Sequence, residues 1–395
     1  MNQRKKKTVK SNVSVIGGGA SGILAGIFAA RNGACVTILE KNPRVGKKIL
    51  ATGNGRCNFT NVNLTYEDYN SDFVRYALEE FSPYDAINFF KETGLLSRVE
   101  AEGRVYPLSG QATALLDVLR LELSRLSVKV ITDFDVERIE KQGDTFKIYS
   151  NNQCVKADKV IVATGGMASP KSGSDGKGYQ LLKSFGHHTT KLVQSLVQLK
   201  TEKSVGGVRA YGKITIPNGM SDTGEIQFNN YGLSGIPVFG LAKYVKKGDA
   251  VLLDLLPDYT EEQVKTILKN RPMQTMETYL IGILNKALGQ LLLKECGISP
   301  LSRMSNTLSD SDITKIVKKI KAWEFCVTGA MPWDNAQVTA GGIELSEIDE
   351  KTMESKLCKG LYVTGELLDI DGPCGGYNLH WAWASGRLAG SEAGR

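Results

Sequence analysis

Histidine is nearly missing from this chain, with three residues in 395, and its seven cysteines include no CxxC pair. That spacing excludes a zinc site of the usual Cys/His kind, and no metal is expected. A scattered, odd set of thiols suits a reducing compartment, the cytoplasm, and not a disulfide scaffold. No run of about twenty apolar residues occurs, so no membrane span is expected. The N-terminus carries charge without an apolar core before a cleavage site, so no signal peptide is expected either. Internal repeats and low-complexity tracts are absent. A surplus of one charge is small as well: the net charge is +7, and Arg4, Lys5, Lys6, Lys7 and Lys10 form a basic, solvated tail. The remaining charge is not clustered enough to argue for a nucleic-acid partner. Hydrophobic content of 42% and charged content of 23% describe an ordinary globular protein, long enough for two or three domains.

Glycine, in contrast, is abundant at 42 residues, many of them in clusters. The first cluster organises the chain. An apolar run at Val13, Val15 and Ile16 breaks into Gly17, Gly18, Gly19, Ala20, Ser21 and Gly22. A small-residue helix follows, then a second apolar run ending at Glu40. Strand, glycine turn, helix, strand and acid in this register form a dinucleotide-binding fingerprint. Gly17 allows the tight turn, Gly19 lets backbone approach a pyrophosphate, and Gly22 lets the helix pack on the strand. The positive end of the helix dipole then meets the phosphates, and Glu40 takes the ribose hydroxyls.

Beyond Glu40 a basic, glycine-bearing loop (41–58) reads as running along the bound dinucleotide, with Thr52 and Gly53 within it. Helical spacing marks about 72–95 and 111–126, and 97–108 reads as a short hairpin. Alternating residues over 128–132, 135–141 and 145–149 predict a small meander. A strongly β stretch over 155–164 runs into Ala163, Thr164, Gly165 and Gly166, again bringing backbone to a cofactor. A polar glycine loop (169–179) and a helix over 178–186 follow, then His187 and His188 as caps of that helix. Composition shifts after this point. The reading is an FAD-binding domain in two parts, 1–190 and 336–395, with an insert at 191–335 that is β-like to about 258 and helical from about 259. The last part holds a strand at 361–364 that ends at Gly365 and Glu366, and a helix over 378–390. The glycine turns are read as following strands of one parallel sheet and lining one crevice. The terminal helix would aim its N–H groups at the flavin N1–C2 edge, where charge builds up on reduction. That C-terminal return favours FAD over a nicotinamide as resident cofactor. No second GxGxxG occurs, so NAD(P)H would bind only transiently, as electron donor.

The segments GGGASG, EKNPRVGKKILATGNGRCNFTN, VIVATGG, GEIQFNNYGLSGIPVF and GLYVTGELLDIDGPCGGYNLHWAWASGRLAG resemble a bacterial family of NAD(P)/FAD-dependent flavoproteins. It includes aminoacetone-oxidase-like proteins and a bile-acid Δ4-reductase type. The resemblance spans nearly the whole chain. It implies noncovalent FAD and an α/β fold: a Rossmann-type, glutathione-reductase-like FAD-binding domain with an inserted β-barrel-like plus helical domain. It implies that Lys41 and Lys48 flank the phosphates, that Arg56, Cys57 and Asn58 lie near the isoalloxazine, and that Val136 touches adenine. Glu366 and Asp369 would hold ribityl or phosphate oxygens, and Gly376, Asn378 and Leu379 would meet the pyrimidine edge. His380 departs from the family pattern, which carries Gln after GGYNL.

His380 is the candidate acid or base by its place in the last motif, with Cys57 and Tyr377 as further catalytic candidates. Trp381 and Trp383 read as helix-packing residues. The function read from this pattern is an FAD-dependent oxidoreductase acting on a small organic substrate, as a NAD(P)H-driven reductase of an activated, enone-type C=C bond. The alternatives are an FAD-dependent oxidase of a small amine such as aminoacetone, and a tRNA-modifying flavoprotein.

Overall fold

The computed structural model describes residues 11–395; the basic tail lies outside them. Among the described residues no helix is long and apolar enough to cross a membrane, no group of three or more His, Cys, Asp or Glu could hold a metal, and every cysteine is a free thiol. The chain divides into two compact units, residues 11–193 with Val338–Arg395, and Gln194–Gln337.

The first unit is built on a five-stranded parallel sheet in the order Leu361–Val363, Lys159–Val162, Asn12–Ile16, Cys35–Leu39, Lys129–Ile131. Its central strands are buried along nearly their whole length, Ser14 included, because both faces are covered. The opening helix, Ala20–Arg31, and the terminal helix, Tyr377–Gly394, pack together against it. Gly386, Gly390 and Gly394 press onto the backbone of Ser21, Ala25 and Ala29 in turn, so the two helices run parallel. A Cβ at Gly394 would stand 2.7 Å from the Ala29 carbonyl oxygen. The fold class read from the sequence is the one found.

Two strands fall elsewhere than expected. Lys129–Ile131 is the edge strand of the parallel sheet, not the first strand of the meander. The meander is Arg138–Gln142, Thr145–Ser150 and Gln153–Ala157. The β stretch at 155–164 is therefore two strands. The chain changes sheets at Asp158, whose carboxylate accepts from the Asn12 N–H at 2.8 Å and whose own N–H donates to the Asn12 carbonyl. The His187 N–H donates to the Leu182 carbonyl in the last turn of the preceding helix, Lys177–Lys183, at 3.3 Å, but the imidazoles of His187 and His188 turn elsewhere. Both contact the Glu347 carboxylate, at 2.8 and 2.7 Å, and His187 also meets the Ser355 hydroxyl.

The second unit is a closed six-stranded barrel with helices attached. Its strands run in the order Leu199–Thr201, Gly232–Ser234, Ser221–Asn229, Val208–Thr215, Ala250–Asp254, Trp323–Ala330. Glu261–Lys269, Lys286–Glu295 and Asp310–Lys321 form helices between the last two strands. The helix at Glu261 starts on a Thr260–Gln263 capping box and that at Asp310 on a Ser309–Asp312 box. Trp323 and Phe325, both fully buried, fill the barrel from its last strand.

One buried carboxylate ties the first unit's outer helix to the opening helix. Glu122, on Ala112–Arg125, pairs with Arg31 at 2.7 Å and with Arg125 at 2.7 Å. The Arg125 hydrogen bond, with Arg31 behind it, holds the carboxyl at about 2, below its ordinary 4.5. Its stabilisation is complete above pH 4.5 and is lost as pH falls toward 2. Glu122→Gln should cost about 1.5–3 kcal/mol at neutral pH in urea unfolding, the range for hydrogen bonds to charged groups. The deficit should narrow steadily as the same measurement is repeated below pH 4.5.

Candidate cofactor and active site

The opening turn is shaped by backbone approach. Gly17 has φ +99°, and a Cβ there would stand 2.5 Å from the Ala163 carbonyl oxygen. A Cβ on Gly22 would strike the Gly17 carbonyl. Gly19 differs: its φ is ordinary, and nothing lies within 4 Å of where its Cβ would be. It heads a helix that no side chain caps, so N–H groups of the first turn face open space. Ala20 and Ser21 sit in that turn. This cradle, open where a side chain would fill it and lined by uncapped donors, fits a diphosphate.

Glu40, 7% exposed, accepts from the Gly18 N–H at 2.7 Å through one oxygen. The other accepts from the Asn42 N–H and side-chain amide, both at 2.7 Å. The acid thus stands directly under the turn, held in one rotamer. Sequence reasoning passed over Gly18 and Asn42. The Asn two residues after the acid was the available signal, since Asn bonds back onto nearby backbone. Alongside runs 133–136, with Phe134 N–H donating to the Glu40 carbonyl at 3.0 Å and Val136 buried. Lys41 pairs with Asp175 at 2.7 Å and Lys177 pairs with Asp135. The glycine loop 169–177 is therefore tied to both segments beside Glu40, and Lys41 is engaged within the chain.

After the strand Lys159–Val162, Gly165, at φ +71°, follows Ala163 and Thr164, and a Cβ on it would stand 2.8 Å from the Ser174 hydroxyl. Gly166 backs onto Thr339 and Glu366. Glu366 accepts from Lys48 at 2.6 Å and from the Thr339 N–H at 2.9 Å. Its carboxylate braces the chain, and Lys48 answers to it. Gly365, at φ +69°, lies against the Ser21 side chain and donates its N–H to Ser385 at 3.0 Å. Asp369 is held by the Asn70 amide at 3.2 Å. Within this unit the hydroxyls of Ser174 and Thr364 and the Asn58 Oδ1 are buried without a hydrogen-bond partner.

The closing end gathers two distant loops. Gly53, Asn54, Gly55 and Cys57 all adopt left-handed backbone, a concentration of strain of the sort found at ligand-binding sites. Thr52 closes the loop by accepting the Cys57 N–H at 2.9 Å. Arg56 lies 4.1 Å over the Tyr106 ring and bonds Glu100 at 2.5 Å. Gly376, the N-cap of the terminal helix at φ +105°, sits against the Thr60 carbonyl and the Asn58 Oδ1, where a Cβ would be 2.5 and 2.9 Å away. Asn378 folds its amide back to Gly372 and Pro373, fixing the turn before the helix. Leu379 and Tyr377 are half-buried, and Tyr377 packs edge-on to Tyr69.

Two catalytic candidates are corrected by their placement. His380 is fully buried, so its ring faces protein on every side. Its Nε2–H donates to the Phe81 carbonyl at 2.9 Å, and Nδ1 therefore accepts from the Thr60 hydroxyl at 2.9 Å. Burial drives it down to about 4, leaving a neutral ring that pins the terminal helix. It lies one turn inside the helix, on the face shared with the buried Trp381, Ala384 and Ser385. Cys57 is likewise fully buried, and burial pushes its thiol up to about 12. It is packing, not a nucleophile. Trp381 and Trp383 are buried packing residues that donate to the Gly365 and Phe59 carbonyls.

Residues 11–392 match the family described as HI0933-like protein Rossmann domain. The chain is 40% identical to a 3-dehydro-bile acid delta(4,6)-reductase of Clostridium scindens, over 97% of this chain and 99% of that one. It is 32% identical to a ribosomal RNA dihydrouridine synthase of Haemophilus influenzae, over 94% and 95%. Among solved structures it is similar in fold to a 3-ketosteroid delta1-dehydrogenase of Sterolibacterium denitrificans, with TM-score 0.53, 12% identity, and 97% and 99% of the two chains covered.

The glycines of the opening turn should separate on mutation. Gly19→Val should fold with stability within about 0.5 kcal/mol of the parent yet purify without bound flavin, read as loss of yellow absorbance. Gly22→Ala, driven into the Gly17 carbonyl, should instead lose about 1–3 kcal/mol in urea unfolding.

Proposed function

The chain belongs to the HI0933-like Rossmann-domain family and is an FAD-dependent oxidoreductase, and from there we propose that it is a NAD(P)H-driven reductase of a C=C bond conjugated to a carbonyl. The observation that carries this reading is the relative named a bile-acid delta(4,6)-reductase, matched from end to end. The geometry agrees with it. Two uncapped helix starts, at Gly19 and Gly376, offer donors for the phosphates and for the anionic edge of a reduced flavin. Bound FAD would supply hydride chemistry. The chain's residues would position it: the opening turn with Ala20 and Ser21 at the diphosphate, Glu40 at the ribose, and the 163–166 and 365–366 turns along the middle. The Arg56–Asn58 loop and the Gly376–Leu379 helix start would frame the rings.

A second reading of the substrate rests on the relatives named ribosomal RNA dihydrouridine synthase, at 32% and 29% identity. Uracil C5=C6 is conjugated to the C4 carbonyl, as the steroid C4=C5 is to C3, so the chemistry asked of the protein is the same. The five positive charges within the first ten residues suit an RNA substrate. We therefore move the RNA alternative from tRNA to a ribosomal RNA uracil. The free thiols favour a cytoplasmic location.

Anaerobic mixing decides among these. NADH or NADPH should bleach the yellow protein, and a 4-en-3-one steroid or an unmodified ribosomal RNA transcript should restore the colour with a saturated product. Restoration by one acceptor and not the other names the substrate class. Bleaching by aminoacetone and not by NAD(P)H would overturn the reductase reading in favour of the oxidase.

A further inference from the structure

Saturating a conjugated C=C needs a hydride at the far carbon and a proton at the carbon beside the carbonyl. A side chain of the chain can deliver that proton, and the two earlier candidates, His380 and Cys57, are fully buried. The closing end holds another group. Tyr106 lies on the strand Arg104–Pro107, facing the same way as Arg104 by the two-residue period of a strand. Its ring is covered by Arg56 at 4.1 Å, and its edge meets Gly53, where a Cβ would stand 3.4 Å away. The Arg104 guanidinium reaches Gly375, 3.5 Å from where that residue's Cβ would be. Asn61, paired with Arg104 across the strands, donates to the Gly375 carbonyl at 3.0 Å. The strand that carries Tyr106 against the 53–57 loop thus also carries Arg104 against the turn that opens the terminal helix. Tyr106 is buried but, unlike His380 and Cys57, keeps 9% of its surface exposed, and its hydroxyl is not among the fully enclosed polar atoms.

We propose that Tyr106 is the proton donor of the reduction. The inference rests on the reductase reading above. The π bond of the substrate breaks; one C–H bond forms from the hydride and its two electrons, supplied by FAD that NAD(P)H has reduced. The second C–H bond forms at the carbon beside the carbonyl from the Tyr106 O–H, and solvent returns a proton to the phenolate. The surroundings suit that role. Burial raises the phenol above its ordinary value, so it is protonated at neutral pH, while Arg104 and Arg56 favour the phenolate left after donation. Glu100 and Cys374 act on it in the opposite sense, and each arginine has a carboxylate of its own, Glu100 for Arg56 and Glu102 for Arg104. Of the other phenols here, Tyr69 already donates its hydroxyl to the Tyr377 carbonyl at 2.8 Å, and Tyr377 has Asp68 foremost among its charged neighbours, a poorer setting for a phenolate.

Tyr106→Phe keeps the ring under Arg56 and removes only the hydroxyl. The variant and parent are reduced anaerobically with NAD(P)H and then mixed with the 4-en-3-one steroid or the ribosomal RNA transcript. Bleaching by NAD(P)H and the flavin spectrum should be unchanged, and recolouring by the acceptor should slow at least about 100-fold, the range of one lost general acid. The parent's recolouring should also be slower in deuterium oxide, and that difference should disappear in the variant. A variant that recolours as fast as the parent overturns the assignment and leaves the reductase reading standing. A variant equally slow in bleaching and recolouring makes Tyr106 structural and overturns it too. A parent that no conjugated acceptor recolours overturns the reductase reading, and Tyr106 as donor falls with it.

Discussion

Two helices from opposite ends of the chain touch through bare backbone, and the cofactor-binding unit is arranged around that contact. Gly386, Gly390 and Gly394 recur every four residues on one face of the terminal helix, and each meets a carbonyl of the opening helix. Any side chain at those positions would hold the helices apart by the thickness of a methyl group, a change that close-packed interiors tolerate poorly. With the helices locked, the glycine turn that starts one and the glycine turn that starts the other belong to a single rigid body. Ser21 then touches Gly365, and Gly365 in turn receives the Trp381 indole.

The carboxylates follow a common plan. Glu40 and Glu366 are both engaged by backbone N–H groups, of Gly18 and Thr339 respectively, and each has a side-chain partner, Asn42 or Lys48. Each thereby fixes the backbone beside a glycine turn, Gly17–Gly19 or Gly165–Gly166. Rigidity at such turns is what lets a few dipoles act on a ligand without reorganising. The left-handed backbone of Asn54 and Cys57 stores strain that the surrounding contacts must hold, among them the Cys57 N–H on the Thr52 carbonyl and Arg56 between Tyr106 and Glu100.

Local spacing made the opening turn, the acid after the second strand, the parallel sheet and the β-then-helical insert legible in the sequence. What spacing cannot carry is pairing between distant segments. The split of 153–162 into two strands depends on Asp158 meeting Asn12, and the return of Trp323–Ala330 to the barrel depends on the Ala250–Asp254 strand. His380 was misread for a related reason. Its nearness in sequence to the closing turn is real, but the helix phase turns its ring inward onto Phe81 and Thr60. Tyr106 carried no motif at all. Only the pairing of its strand with Thr60–Asn61 brings it beside Arg56 and the Gly375 turn.

The register of the two locked helices also sets a length. Gly386 stands level with Ser21, yet the terminal helix has already run nine residues from its first residue, Tyr377, to reach that level. The opening helix has run one residue, from Ala20, so at about 1.5 Å per residue the terminal helix's positive pole projects roughly 12 Å beyond that of its neighbour, along the same direction. The pair works as a gauge with two electropositive jaws at a fixed separation. A compact anion can satisfy one jaw only, whereas an elongated one carrying negative charge at two points can close on both. The small residues of a helix-helix seam thereby set the distance between two electropositive ends that none of them touches.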